Sequence, residues 1–266
     1  MPFTFASWNV NGRRLTSEHV GLITSVQCGV LALQEVSGAF HAELTSLPLF
    51  DWAISSLALR PPGPHEGRSR RLGCSLFGRA PFRLVASGVL GHLAFPERSL
   101  VAIADDGAGP ITLGSFHMPP GASWGKIKPA TMTAIARWLA EQDGRVILGI
   151  DANAPKLDHP DPAANEWWWK EEPTLLGSNP LHHLRDAFRI FLEQHPEMMR
   201  LICAERPRGP LATSHVRGRG RKRTACRYDF IYVTDHFAVE GMSYLMEEGL
   251  KAGSDHALVI ATMSVR

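Results

Sequence analysis

Residues 146–155 read VILGIDANAP. Val146 to Ile150 is apolar without alternation, the pattern of a strand buried on both faces, and it runs straight into a carboxylate, Asp151, and an amide, Asn153. A core strand gains nothing from such an ending, because burying those groups without partners costs several kcal/mol. Polar groups of the same kind punctuate five more apolar runs: SWNVNG at 7–12, LQEV at 33–36, SFHMP at 115–119, RYDFIYV at 227–233 and GSDHA at 253–257. These signatures span the whole chain and must converge, which predicts one polar site and a single domain over residues 1–266.

Upstream of this strand, Met132, Ile135, Trp138 and Leu139 fall on one helical face. Further strands are expected at Phe3 to Val10, Val30 to Val36, Asp51 to Leu59, Leu72 to Phe77, Phe82 to Leu93, Ser99 to Ala104 and Ile111 to His117. Tyr228 to Thr234, Phe237 to Leu245 and Ala257 to Thr262 complete the set. Helices are expected after the capping hydroxyls of Thr16 or Ser17 and of Ser37, and over Leu184 to Gln194. The Pro-, Gly- and Arg-rich segment Arg60 to Arg71 reads as a surface loop, and a long connection follows from Ala152 to about Pro180. Short spacing between strands favours antiparallel pairing, so the pattern predicts an α/β fold of two mostly antiparallel sheets packed face to face and covered by helices.

A chain of 266 residues that is 44% hydrophobic can bury one large core. Lys and Arg exceed Asp and Glu by 28 to 26, so the distribution of charge is more informative than the total. Cys28, Cys74, Cys203 and Cys226 are widely spaced and form neither a paired framework nor a zinc pattern, which fits a reducing compartment. No signal-peptide pattern opens the sequence, and no apolar run approaches the roughly 20 residues that cross a bilayer. A soluble, cytoplasmic protein with no membrane partner and no obligate protein partner is expected.

The residue types point to phosphate chemistry. Asp151 at a strand end can orient or deprotonate water, beside Asn153, whose amide can donate to a phosphoryl oxygen. Glu35 would repel developing phosphate charge unless a cation lay between them, and hard oxygen ligands call for Mg2+ or Mn2+ rather than zinc. Asp229, in a strand-like run where a charge is unwelcome, can fix the tautomer and raise the basicity of His256, next to Asp255. Asn9 and Asn11 can orient a metal ligand or the carboxylate, although Asn11–Gly12 also suits an ordinary turn. His117 can donate to a non-bridging oxygen or to the leaving group.

In type and order, from Asn9 to His256, these motifs resemble the endonuclease/exonuclease/phosphatase superfamily, which includes exonuclease III, abasic-site endonucleases, deoxyribonuclease I, sphingomyelinases and inositol polyphosphate phosphatases. The resemblance implies a four-layer sandwich whose two sheets are mixed, with the site at one edge, where loops of both sheets meet. It further implies Glu35 as the main metal ligand, helped by Asn9, Asn11 or Asp255. Asp151 would position the attacking water, Asn153 would contact the phosphate, and His256 paired with Asp229 would stabilise the phosphoryl group. His117 matches a position held by histidine in deoxyribonuclease I and by tyrosine in abasic-site enzymes. Asn11 departs from members with aspartate there, which implies a weakly held ion. Whether Asp151 or His256 removes the proton stays open.

Arg217, Arg219, Arg221, Lys222, Arg223 and Arg227 crowd a Gly-punctuated stretch before Asp229, with Arg68, Arg70 and Arg71 as a second basic loop. Such a run is either a solvated surface or a binding loop for a polyanion, each phosphate contact releasing counterions. Its proximity to the site favours a nucleic-acid partner and little base specificity. Trp167, Trp168 and Trp169 cannot all face one core, which leaves at least one ring, taken as Trp168, to stack on a base. The expected activity is metal-assisted, in-line hydrolysis of a phosphodiester by a nuclease. The alternatives are a phosphatase or phosphodiesterase of small or lipid phosphate esters and a catalytically silent nucleic-acid-binding module.

Overall fold

The computed structural model describes residues 2–218 and 223–266. In chain order the strands are β1 (Phe3–Asn9), β2 (Val30–Val36), β3 (Trp52–Ser55), β4 (Gly73–Gly78), β5 (Arg83–Val89), β6 (Ser99–Asp105) and β7 (Pro110–His117). They continue with β8 (Arg145–Asp151), β9 (Arg185–Asp186), β10 (His215–Arg217), β11 (Thr224–Cys226), β12 (Asp229–Val233), β13 (Phe237–Leu245) and β14 (Leu258–Val265). One six-stranded sheet runs β13-β14-β1-β2-β4-β3 and a second runs β5-β6-β7-β8-β12-β9, with β10 and β11 as a separate ladder.

Both large sheets are mixed. β1 and β2 are parallel and so are β7 and β8; every other pairing is antiparallel. A parallel pair needs a crossover, and the helices Ser17–Val26 and Ile127–Ala140 supply the two. The sheets pack face to face on Phe5, Val30, Ala32 and Leu76 from one and Leu100, Leu113, Ile147 and Ile231 from the other. Helix Ile127–Ala140 covers the outside of the second sheet through Met132, Ile135, Ala136 and Leu139. Helices Ser17–Val26 and Gly38–Thr45 cover the first through Ile23, Phe40 and Leu44. The result is a four-layer α/β sandwich. The helices on the first sheet start where the sequence indicates: Thr16 and Ser37 accept the N–H groups of His19 and Phe40.

A polar seam crosses the interface of the sheets. Gln34, fully buried, donates to Ser7 and Ser115, and Ser115 donates to Leu33 O. Gly149 is required here, because a Cβ on it would lie 2.5 Å from Ser7 Oγ.

Register carries the polar strand ends together. On β8, Asp151 lies opposite His117 of the parallel β7 and opposite Asp229 of the antiparallel β12. The end of two strands and the start of the third thus meet at one sheet edge. Trp52–Ser55 is the only strand in the Asp51–Leu59 stretch: Ser55 accepts the Leu57 N–H and starts a short helix, Ser56–Leu59. The helix expected over Leu184 to Gln194 begins at Ala187, capped by Asp186, after the short β9. Helix Pro196–Glu205 gave no periodic signal because Ile202 is its only buried residue. Among the described residues, no helix is long and apolar enough to cross a membrane.

Candidate active site

At the sheet edge the backbone turns left-handed at three residues other than glycine, two in loops and one within β2: Asn11 (φ 52°), Asn153 (φ 49°) and Glu35 (φ 54°). Such conformations cost roughly 1–3 kcal/mol each and persist where the surroundings impose them. At Asn11 the N–H binds Asn9 Oδ1 at 2.8 Å, and at Asn153 the N–H binds Asp151 Oδ1 at 2.9 Å. Glu35 lies in a break of the β2–β4 register between Leu33 and Val36, a bulge that re-aims its side chain. Its carboxylate comes within 3.3 Å of His117 Nε2.

Asp151, almost fully buried, is the hub. Asn9 Nδ2 donates to its Oδ2 at 2.8 Å. His256 Nε2 stands 3.9 Å from the same oxygen and His117 Nε2 3.7 Å from it. His256 Nδ1 binds Asp229 Oδ2 at 2.8 Å, which leaves Nε2 aimed toward Asp151. Ser214 fixes the start of β12 by accepting the N–H groups of Tyr228 and Asp229, while Ser254 ties the last loop to β1 by donating to Asn9 O and accepting the His256 N–H. Trp8 donates to His256 O.

The charges here are poorly compensated. Burial raises Asp151 to about 7, with the Asp229 carboxylate adding to the effect and His256 opposing it. Burial resists protonation of His256, but Asp229 and Asp151 outweigh it and lift the imidazole to about 10. His117 goes the other way, held well below the ordinary histidine range by burial and by the Arg98 guanidinium. Arg98 Nη1 lies against the ring, 3.2 Å from His117 Nδ1 and 3.4 Å from Nε2, while Nε2 also faces Glu35 and the Asn153 amide. Burial also raises Glu35, against the pull of His256 and Arg98. At neutral pH the site therefore holds an imidazolium at His256 and a carboxyl at Asp151 poised to gain or lose its proton.

A divalent cation suits the carboxylates of this set. Asp151 and Asp229 on one side and Asp255 with His215 on the other present ligand atoms within 4.8 Å of His256, which as an imidazolium is not itself a ligand. Glu35, a carboxylate destabilised by burial, supplies the hard oxygen and the need for positive charge.

Asn9, Glu35, His117, Asp151, Asn153, Asp229, Asp255 and His256 thus gather at one edge, with Asp255 half-exposed, 3.9 Å from His256 Nε2. Asn11 joins them through its backbone. Of the basic stretch, Arg223 is exposed and Arg217 lies 4.7 Å over the ring of Trp168. Arg219, Arg221 and Lys222 lie outside the described residues. Arg227 corrects the sequence reading: its side chain is fully buried and bonded to both oxygens of Asp186 at 2.7 and 2.6 Å, and to Asp158, so it has nothing left for a phosphate. Trp167 packs on the second sheet's outer core, Trp168 is exposed and Trp169 is half-buried.

Sequence reasoning missed Arg98, Lys128, Glu172 and His215. Lys128 is 1% exposed, donates to Asn153 O at 2.7 Å and pairs with the buried Glu172 at 2.8 Å. Its only sequence signal is a lysine on the apolar face of a helix. His215 stacks on Tyr228, with ring centroids 5.5 Å apart, and lies tilted by 32° against His256 at 4.5 Å.

Over residues 6–256 the chain matches the sequence model of the Endonuclease/Exonuclease/phosphatase family. No curated protein sequence matches it. Similar solved structures include D. rerio TDP2 complexed with single strand DNA product, at 16% identity and TM-score 0.70, covering 99% of each chain. The human nocturnin catalytic domain with bound sulfate is 17% identical, with TM-score 0.63, 100% of this chain covered and 95% of that one. The endonuclease domain of TRAS1, a telomere-specific non-LTR retrotransposon, is 15% identical, with TM-score 0.59, covering 99% and 98%. At these identities the likeness is one of fold; the match along the sequence goes further, and by it the chain belongs to the endonuclease/exonuclease/phosphatase family.

Proposed function

We propose that the protein is a divalent-metal-dependent phosphodiesterase that cuts nucleic acid with little sequence specificity. The observation that carries this reading is the buried trio Asp151, His256 and Asp229, held at one sheet edge together with Asn9, Glu35, His117 and Asn153. The family is one of phosphoester hydrolases, generally dependent on a divalent metal.

Asp151, raised to about 7, accepts a proton from the attacking water, because His256 is already protonated at neutral pH. His256 donates to a phosphoryl oxygen, its charge held by Asp229. Asn153 positions that oxygen, and the His117 ring lies ready to donate to the leaving group or a non-bridging oxygen. Glu35, with Asn9, Asn11 and Asp255, would hold Mg2+ or Mn2+, which when bound neutralises charge on the phosphoryl group. Arg217 and Arg223, with Arg219, Arg221 and Lys222 of the same stretch, attract the backbone without reading bases.

The test is cleavage of plasmid DNA, single and double strands, an abasic duplex and RNA, with magnesium or chelator, by the wild type and by Asp151→Ala. Magnesium-dependent cutting that the variant loses is expected. No cutting of any polymer would redirect the assignment to small or lipid phosphate esters, and inactivity there too would leave a silent binding module. Replacing Arg219, Arg221 and Lys222 by alanine should lower the salt dependence of cleavage; an unchanged slope would remove the loop from substrate binding.

A further inference from the structure

Beside the catalytic edge opens a cavity of about 450 Å³ lined by Trp168, Trp169, Tyr228, His215, Arg217 and Asn153, with Pro120, Gly121 and Lys128 completing it. Building on the nuclease reading, we infer that this cavity receives one unpaired base of the substrate, and that the substrate is a single strand rather than a duplex.

Asn153 belongs to both places. Its N–H binds Asp151 and its amide binds Met118 O, while it also forms part of the cavity wall. His215 likewise lines the cavity and lies 4.5 Å, ring to ring, from His256. A phosphate held between Asn153 and His256 therefore has the cavity beside it, within reach of the base of an adjoining nucleotide. The volume falls in the roughly 300–1,000 Å³ range of pockets for small molecules and is far too small for a base pair within its helix.

The wall chemistry is that of a stacking site. Four aromatic or imidazole rings surround the space, and each base has a π-face to offer them. The one ammonium in the wall, Lys128, is occupied by Glu172 and by Asn153 O, so it supplies no base-reading donor. Gly121 makes room for the platform, because a Cβ there would lie 3.2 Å from Trp169 Nε1. Arg217, over Trp168, stands at the rim, where it can turn from the ring to a phosphate. A paired base would have to leave its stack to enter, at a cost of a few kcal/mol. A single strand presents such a base without that cost.

Two measurements on the full chain test this. Tryptophan fluorescence of Asp151→Asn, which does not depend on cleavage, is titrated with a short single strand, its ribose counterpart and the matching duplex. The single strands should bind at least about tenfold tighter than the duplex, and Trp168→Ala added to Asp151→Asn should remove about tenfold of that. DNA and RNA strands are then told apart by their own curves. The second measurement walks one abasic nucleotide along a labelled single strand cut by the wild type. One position next to the scissile bond should slow cutting by about tenfold, seen in KM more than in kcat. Equal binding of duplex and strand, or an abasic walk without a sensitive position, would overturn the inference. A wild type that binds the strand but cuts no polymer would sink the nuclease reading while leaving the cavity's preference established.

Discussion

Arg227 and Asp229 stand two positions apart at the start of β12 and belong to two different clusters of buried charge. Around Arg227 the charges balance: two guanidiniums, of Arg227 and Arg189, face two carboxylates, of Asp186 and Asp158, and Tyr244 accepts from Arg227 Nε at 2.8 Å. Around Asp229 they do not. Asp151 and Glu35 are both raised by burial, and His256 is driven up to about 10 by the carboxylates of Asp229 and Asp151, which among the described residues have no guanidinium or ammonium bonded to them. A cluster that satisfies itself has nothing to give a ligand. One that remains uncompensated stores the electrostatic demand that a cation and a phosphate would meet.

The largest effect expected from this contrast is on turnover. Asp151→Asn removes the proton acceptor and should lower kcat by about 10²–10⁴-fold. The same change should leave the fold intact. Because the folded carboxyl is raised from 3.8 to about 7, ionising it costs stability, and that cost grows as pH rises through this window. Thermal melts from pH 4 to 8 should therefore show the variant gaining on the wild type. A variant that melts far lower at every pH would make Asp151 a structural residue.

The balanced cluster should behave in the opposite way. Arg227→Met leaves Asp186 buried without its main partner and Asp158 with Arg189 alone, and breaking such a buried pair costs about 3–5 kcal/mol. Urea unfolding measures the loss. The salt slope of cleavage should not move, because Arg227 touches no phosphate. A changed slope would return Arg227 to substrate binding.

Legibility in the sequence follows the same division. The strand set could be read because buried strands are continuous apolar runs, and the ends of β7, β8 and β12 were visible as polar interruptions of them. Their meeting required register, in which His117 and Asp229 both face Asp151. Glu35 was legible as a carboxylate at a strand end but not as a left-handed residue in a bulge, since no glycine or asparagine marks it. Arg98 lies in a short 3₁₀ turn whose local sequence gives no sign of His117. Arg227 was misread because nearness in sequence to a basic stretch does not reveal that its partners come from residues 158 and 186. Local pattern reports which groups exist; long-range partners decide which of them are already satisfied.

A third effect probes the uncompensated cluster without removing its centre. Asp229→Asn keeps the shape but withdraws the charge that holds the His256 imidazolium. The histidine titration, followed by NMR on the metal-free protein, should shift down from about 10 toward the ordinary range. Stability follows with a defined sign. A histidine raised on folding contributes stability fully present below 6.5 and lost as pH rises through about 10. The stability gap between wild type and variant should thus be widest below pH 6.5 and close toward pH 10. A gap independent of pH would mean that Asp229 acts through packing alone.

The smallest effect separates charge balance from burial. Arg185 and Glu193 form a well-made pair, with Arg185 Nη2 at 2.8 and 2.6 Å from the two carboxylate oxygens, yet their side chains are 52% and 59% exposed. Water already solvates both groups, so Arg185→Ala should cost only about 0.2–1 kcal/mol, and less in high salt. If balance alone made the Arg227 cluster structural, this pair would matter as much. A loss near 3 kcal/mol at Arg185 in urea unfolding would show that geometry outweighs desolvation in this protein. A small loss leaves burial as the quantity that turns an ion pair into a part of the fold, and turns an unbalanced set of carboxylates into a site.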